Sequence, residues 1–115
     1  AHGDHQQVVM NFNAETGQIL TLNDVFVEGY EPILNSILLK ALKTKVGVSA
    51  LSALKDRGYL VSMDIYPPKN FILDEETVTF VYNPSEIAPY AVGTTELTIP
   101  YSNLVKIIKN SFQYE

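Results

Sequence analysis

The strongest constraint on the fold is a stretch in which apolar residues alternate on both sides of an acidic turn. Phe71-Ile72-Leu73 and Val78-Thr79-Phe80-Val81-Tyr82 flank the polar segment Asp74-Glu75-Glu76-Thr77. Successive side chains of a β-strand point to opposite faces, so alternate apolar residues in each segment would share one face. The pattern predicts an antiparallel β-hairpin.

A helical pattern precedes the hairpin. Pro32 suits the start of a helix, where its missing N–H costs nothing, and Gly47 suits the end. We therefore predict the main helix between these residues. Its apolar residues recur at helical spacing and are predicted to face the core: Ile33, Leu34, Ile37, Leu38, Ala41 and Leu42.

Shorter elements are predicted on either side. Before the main helix, residues 7–13 alternate as a strand and residues 15–17 form a turn, and Asn23-Asp24 caps one helical turn around Val25-Phe26. After it, Ser49 is predicted to cap a short helix that stops at Gly58.

The end of the chain is predicted to add a strand and a helix. Glu96-Leu97-Thr98-Ile99 alternates as a strand, and a closing helix is predicted to start at Pro100 or Ser102. Leu104, Ile107 and Ile108 would face inward from that helix.

The order of these elements indicates the fold class. Strand, two helices, hairpin, strand and helix do not alternate as parallel β-α-β units would. We predict an α+β domain, with a mainly antiparallel sheet and helices packed on one face. The 115 residues are predicted to form a single domain, since that length is enough to bury one core.

Charge and composition narrow the function classes. The chain has 8 basic and 13 acidic residues, a net charge of −5, and no cysteine. Nucleic-acid binding needs a basic face, which is lacking, so we predict no nucleic-acid partner. No run approaches the ~20 apolar residues of a membrane span. No signal peptide opens the sequence, so an exported protein would need a targeting segment that this sequence does not include.

The sequence gives little support for a metal site or a catalytic nucleophile. His2, Asp4 and His5 lie close together, but two imidazoles and one carboxylate without a distant fourth ligand make a weak site. No Gly-x-Ser-x-Gly elbow and no phosphate-binding Gly-Lys-Ser/Thr motif is present. We predict no metal, no cofactor and no catalytic residue.

Carboxylate pairs are the remaining route to catalysis. A glycoside hydrolase needs two carboxylates about 5–10 Å apart. The acidic run 74–76 lies at the predicted hairpin turn, where charges are usually solvated, while Glu86 and Glu96 flank the following loop. Glu86 has apolar neighbours, but anchoring a loop by accepting backbone N–H bonds is the commoner role for such a carboxylate.

The loop from Asn83 to Gly93 is the most unusual stretch. It is bracketed by Pro84 and Pro89 and is longer than the usual connection of ~4–6 residues. A stiff loop with an aromatic ring and an acid loses little entropy on binding. The alternative is that Ile87 and Tyr90 simply cover the sheet edge. The predicted binding residues are Asn83, Pro84, Ser85, Glu86 and Tyr90.

At this loop the sequence resembles a known extracytoplasmic domain of unknown function. That domain occurs in the lysozyme-sensing anti-sigma factor RsiV and in relatives of the peptidoglycan deacetylase PdaC. The resemblance is strongest from Glu86 to Leu104 and extends over nearly the whole chain, on these segments: Ala1-His2-Gly3, Phe12–Gly17, Leu20–Phe26, Phe80–Gly93 and Leu97–Leu104. Ser85 departs from it, because tyrosine is frequent there in the family. Upstream strands of the longer family pattern are also lacking.

The resemblance implies a location in the cell envelope, often as a lipoprotein, and binding rather than catalysis. The partner would be a protein, with a cationic protein such as lysozyme as the first candidate, or a cell-wall glycan. Two alternatives stay open: a carboxylate-based hydrolase acting on wall glycans, and a purely structural accessory domain.

Overall fold

The computed structural model describes residues 11–12 and 19–109. Two short strands, β1 (Asn11–Phe12) and β2 (Ile19–Leu20), pair antiparallel. The rest of the predicted 7–13 strand, the 15–17 turn and the histidines near the start lie outside the described residues. Three helices follow: α1 (Leu22–Val25), α2 (Glu31–Val46) and α3 (Leu51–Asp56).

The main sheet has three antiparallel strands in the order β3-β4-β5. These are β3 (Asn70–Leu73), β4 (Thr77–Tyr82) and β5 (Thr95–Pro100). β3 and β4 form the predicted hairpin, with Leu73 opposite Val78, and β5 confirms the predicted last strand. The α+β class is therefore confirmed.

The core lies between this sheet and the helices. Alternate residues of β4, from Val78 to Tyr82, join Leu97 and Ile99 of β5 in one buried apolar cluster. Helix α2 contributes a stripe at i, i+4 and i+8, formed by Leu34, Leu38 and Leu42, none of which is exposed to solvent. The prediction that Ile33 joins the core is wrong, since that side chain is 46% exposed. It lies about 100° around the helix from Leu34 and so faces solvent.

Both short-helix caps differ from the prediction. Helix α1 is preceded by Thr21, whose N–H and Oγ1 donate to Asp24 Oδ2 at 2.8 and 3.0 Å. These bonds lower the pKa of the Asp24 carboxyl, the backbone bond most. Asp24 thus acts from inside the helix rather than before it. Helix α3 begins after Ala50 rather than after Ser49, because Ala50 O accepts the first bonds from Ala53 and Leu54 N–H.

The predicted closing helix is also wrong. A short 3₁₀ turn spans Tyr101–Asn103 and irregular turns follow. Besides the turn bonds from Ile107 and Ile108 N–H to Leu104 O, long-range bonds fix this segment: Val27 N–H donates to Ile107 O at 2.7 Å, and Lys109 N–H donates to Val25 O at 2.8 Å. The predicted inward residues Leu104, Ile107 and Ile108 are buried.

The part of the chain that the structure describes has no helix that is both long enough and apolar enough to cross a membrane.

Candidate functional site

The 83–93 loop leaves β4 through a tight turn. Glu86 N–H donates to Asn83 O at 3.0 Å, which makes Pro84 and Ser85 the two central residues. Ser85 has a φ of 70°, the left-handed value that the third position of a type II turn requires. Glycine or asparagine is usual there, so a serine implies that its surroundings hold the turn in place.

The Glu86 carboxylate provides that support. Its Oε1 accepts the Asn83 N–H at 2.8 Å, and its Oε2 accepts a hydrogen bond from the Tyr66 hydroxyl. Tyr66 precedes the Pro67-Pro68 segment that enters β3. The two bonds connect the start of the loop to a part of the chain 20 residues away.

A second tyrosine extends this network into the core. Tyr82, at the end of β4, has no exposed surface, and its hydroxyl donates to Tyr66 O at 2.7 Å. The two rings meet edge to face, with centroids 5.8 Å apart. We call Tyr66, Tyr82 and Glu86 the tyrosine–glutamate network.

Burial and charge hold both tyrosines in the neutral form. Burial raises the pKa of Tyr66 well above its ordinary value, and the hydrogen bond and negative charge of Glu86 raise it further. Burial also raises the pKa of Tyr82, with smaller contributions from Tyr66 and Glu86. Neither hydroxyl is therefore suited to act as a base near neutral pH.

The middle of the loop is fixed by the segment after helix α3. Leu60 N–H donates to Ile87 O at 2.9 Å, and Leu60 holds a left-handed φ of 54°. Beside it, the Pro89 ring packs over Gly58. A side chain at position 58 would place its Cβ 2.6 Å from Pro89 Cγ. Only glycine leaves room for this contact, so the loop is held at a second point.

The far end of the loop is more open. A 3₁₀ turn spans Tyr90–Val92, in which Tyr90 is 52% and Val92 46% exposed. Gly93 ends it with φ 82° and ψ −149°, a region that essentially only glycine occupies. This glycine breaks the turn just before β5.

The predicted binding residues fall into two groups. Asn83 and Glu86 lie at the base of the loop and are partly buried, and Asn83 Oδ1 is buried without a hydrogen-bond partner among the described residues. Ser85 and Tyr90 are exposed. Pro84 lies between these groups, partly buried in the turn. Ile87 is buried, as the covering alternative requires, whereas Tyr90 is not.

Sequence reasoning missed Tyr66, Gly58 and Leu60, whose contacts with the loop depend on the tertiary fold. The Pro67-Pro68 pair signals a fixed backbone after Tyr66, but nothing local links that residue to Glu86. The loop-anchoring role that the sequence favoured for Glu86 is present. Whether Glu86 also contacts a ligand stays a prediction.

The acidic run 74–76 is too far from Glu86 to form the carboxylate pair of a glycoside hydrolase. The exposed acidic run 74–76 lies at the opposite end of β4 from the 83–93 loop, about 20 Å away at the usual rise per strand residue. Residues 19–109 contain no cluster of three or more histidine or acidic side chains that could hold a metal ion.

Comparison with known proteins places the chain in a family. The sequence profile of DUF3298, a protein family of unknown function, matches residues 23–102. The structure is similar to a crystal structure of a DUF3298 member from Bacteroides fragilis NCTC 9343, with 35% sequence identity and a TM-score of 0.82. A DUF3298 protein from Pseudomonas aeruginosa PAO1, at 23% identity and a TM-score of 0.70, shares the fold.

These two solved proteins are longer than the matched region. The alignments cover 88% and 92% of this chain but only 40% and 48% of theirs. No curated protein matches the chain. The finer resemblance to RsiV and PdaC stays a prediction. The match to most of the chain establishes that it belongs to the DUF3298 family of proteins of unknown function.

Proposed function

We propose that this chain is a non-catalytic binding or sensory domain of the cell envelope. It recognises a partner through the exposed side of the 83–93 loop. The observation that carries the proposal is that a loop fixed at two points displays an aromatic ring at its open end. Tyr66 and Glu86 fix its start, Pro89 against Gly58 fixes its middle, and Tyr90 is 52% exposed.

Rigid aromatic residues dominate many binding energies because few rotamers are lost when they bind. Val92, two residues further along, adds a second exposed apolar side chain. In this proposal Glu86 positions the loop, since both of its oxygens already accept hydrogen bonds. The first candidate ligand is a cationic protein such as lysozyme, whose approach the net charge of −5 would favour. A soluble wall glycan is the second.

Calorimetry tests the loop directly. We expect lysozyme or soluble peptidoglycan fragments to bind the wild-type chain. A Tyr90→Ala/Val92→Ala variant should bind at least about 30-fold more weakly, equivalent to a hot-spot loss of ~2 kcal/mol. The control is Ile33→Ala, which removes an equally exposed apolar side chain from helix α2 and should bind like the wild type. Circular dichroism checks that each variant folds.

Two results would contradict the proposal. Equal binding by the folded double variant would show that the loop is not the binding surface. The absence of binding to both ligands would exclude lysozyme and soluble wall glycans as partners. Catalysis is tested separately, by incubating the chain with peptidoglycan and chitin oligomers. We expect no hydrolysis. Hydrolysis that the Glu86→Gln substitution abolishes would show instead that the chain is a hydrolase.

A further inference from the structure

The outer edge of β5 is the starting observation. β5 pairs with β4 on one side, and no strand of the described residues pairs with its other side. Tyr101 N–H donates to Glu76 O at 2.9 Å, one step beyond the last β4–β5 register pair. Bonded and non-bonded pairs alternate in antiparallel sheets. The N–H and C=O groups of Glu96 and Thr98 therefore point away from β4, toward the open edge.

Three further facts agree with this assignment. Asp74 N–H donates to Thr77 O at 2.9 Å. Thr77 and every second residue after it in β4 therefore bond to β3, and the residues between them bond to β5. Thr79 and Thr98 form a non-bonded pair, where side chains approach closely, and their Oγ1 atoms are 3.0 Å apart. Pro100 lies two residues after Thr98, so its backbone nitrogen also points to the open edge. Proline is tolerated there, because its missing N–H is not needed for a bond to β4.

A groove runs beside this edge. It has a volume of about 650 Å³ and lies between β5 and the side of α2 that carries Ile37 and Ala41. Leu97 contributes to its apolar floor, Lys40 and Lys45 line the helix side, and Glu96 lies on the strand side. Both lysines are exposed. An apolar floor with two cations on one wall suits an extended chain with apolar and acidic side chains.

We propose that β5 accepts an extended, acidic segment of a partner protein as a fourth strand of the sheet. Its backbone would bond to the outward N–H and C=O groups of Glu96 and Thr98, as in strand addition to an open edge. Its side chains on the helix face would fill the groove over Ile37 and Ala41 and place carboxylates next to Lys40 and Lys45. This surface is separate from the 83–93 loop.

The two faces of the sheet predict the partner's pattern. Leu97 and Ile99 point to the core face and are buried, whereas Glu96 and Thr98 are exposed on the other face. Side chains of an added strand alternate in the same way. Every second residue, facing α2, should therefore be apolar or acidic. The residues between them, beside Glu96, should be polar or basic.

A second copy of this chain fits the edge less well. Two β5 strands paired about Thr98 would place Pro100 opposite Glu96, so the Glu96 C=O would face a residue without an N–H. The two α2 helices would also meet on one face of the joined sheet and bring Lys40 and Lys45 toward their copies. Like charges brought together oppose such a dimer.

The probe is a phage-displayed library of random peptides about ten residues long, the length of a strand with its flanks, selected on the chain. We expect enriched peptides to alternate, with acidic and apolar residues at every second position. A synthetic peptide from the selection is then titrated by fluorescence anisotropy. Thr98→Pro removes one outward N–H and leaves the β4 ladder intact, so it should weaken binding about 10-fold or more.

Matched variants distinguish the contribution of the Thr98 backbone N–H from that of its side chain. Thr98→Val removes the hydroxyl but keeps the N–H, and should bind like the wild type. Lys40→Glu/Lys45→Glu should weaken binding to the acidic peptide. If Thr98→Pro does not fold, N-methylation of alternate peptide residues tests the same bonds from the ligand side.

Three results would overturn the proposal. The first is a selection without enrichment, or without acidic residues. The second is equal binding by Thr98→Pro and by N-methylated peptides. The third is a dimer, seen by light scattering, that Thr98→Pro dissociates, which would assign the edge to a second copy. Failure here leaves lysozyme binding by the 83–93 loop unaffected, because the two measurements use different variants.

Discussion

Both oxygens of the Glu86 carboxylate accept hydrogen bonds from other parts of the fold, and one of the donors is Tyr66. Hydrogen bonds to charged groups are worth more than neutral ones, and removing one partner leaves the other desolvated. The tyrosine–glutamate network therefore stabilises the turn in which Ser85 holds a left-handed backbone.

A double-mutant cycle measures this coupling. Tyr66→Phe and Glu86→Gln should each destabilise the chain, by about 1–3 kcal/mol, and the double variant by less than the sum. The expected coupling is about 1 kcal/mol, obtained from urea unfolding. The control is Tyr59→Phe, which removes the hydroxyl of another partly buried tyrosine. Additive effects would contradict direct coupling.

The tyrosines also make stability depend on alkaline pH. Burial, with Glu86, raises the pKa of Tyr66 above the ordinary 10.0, so the folded state keeps a proton that the unfolded state loses. The stabilisation is complete below pH 10 and is lost as pH rises beyond it. We expect the urea midpoint to fall above pH 10 and Tyr66→Phe to reduce that fall. An identical pH profile in the variant would contradict this assignment.

Gly93 closes the loop in a conformation that other residues avoid, with φ 82° and ψ −149°. A Cβ there would meet no atom within 4 Å, so the strain lies in the backbone alone. Gly93→Val should lower stability by about 1–3 kcal/mol. The neighbouring Ala91→Val makes a similar change at an exposed site and should stay within ~0.5 kcal/mol. An unchanged melting temperature for Gly93→Val would contradict the conformation.

At the scale of elements, the fully buried part of helix α2 is the stripe formed by Leu34, Leu38 and Leu42. Leu38→Ala removes a fully buried side chain from that stripe and should cost about 2–5 kcal/mol. Ile33→Ala, on the exposed side of the same helix, should cost less than about 0.5 kcal/mol. Thermal and urea unfolding measure both. Similar losses of stability for the two variants would contradict the packing of α2 through its buried leucines.

Elements with a strong local period were predictable from the sequence, and those fixed by distant bonds were not. Helix α2 and the β3–β4 hairpin carry their patterns within a few residues. The segment after Pro100 has a helical pattern too, yet Ile107 and Lys109 bond to Val27 and Val25 instead. The 83–93 loop was recognisable by its prolines and length. Its contacts with Gly58, Leu60 and Tyr66 come from tertiary packing.

At the scale of the whole molecule, two surfaces offer different chemistry. The 83–93 loop displays an exposed ring, whereas the open edge of β5 displays backbone groups beside two lysines. With a net charge of −5, approach of a cationic partner is favoured overall, and salt should weaken it. A strand partner at β5 would instead be acidic. The two surfaces can therefore be distinguished by the charge of what binds.

Residue-resolved NMR of the ¹⁵N-labelled chain, titrated with lysozyme and then with soluble peptidoglycan fragments, tests the loop most directly. We expect one of these ligands to shift the amide signals of residues 85–93, with little change along Glu31–Val46 of helix α2. Shifts confined to α2 or β5, or none with either ligand, would contradict recognition through the 83–93 loop.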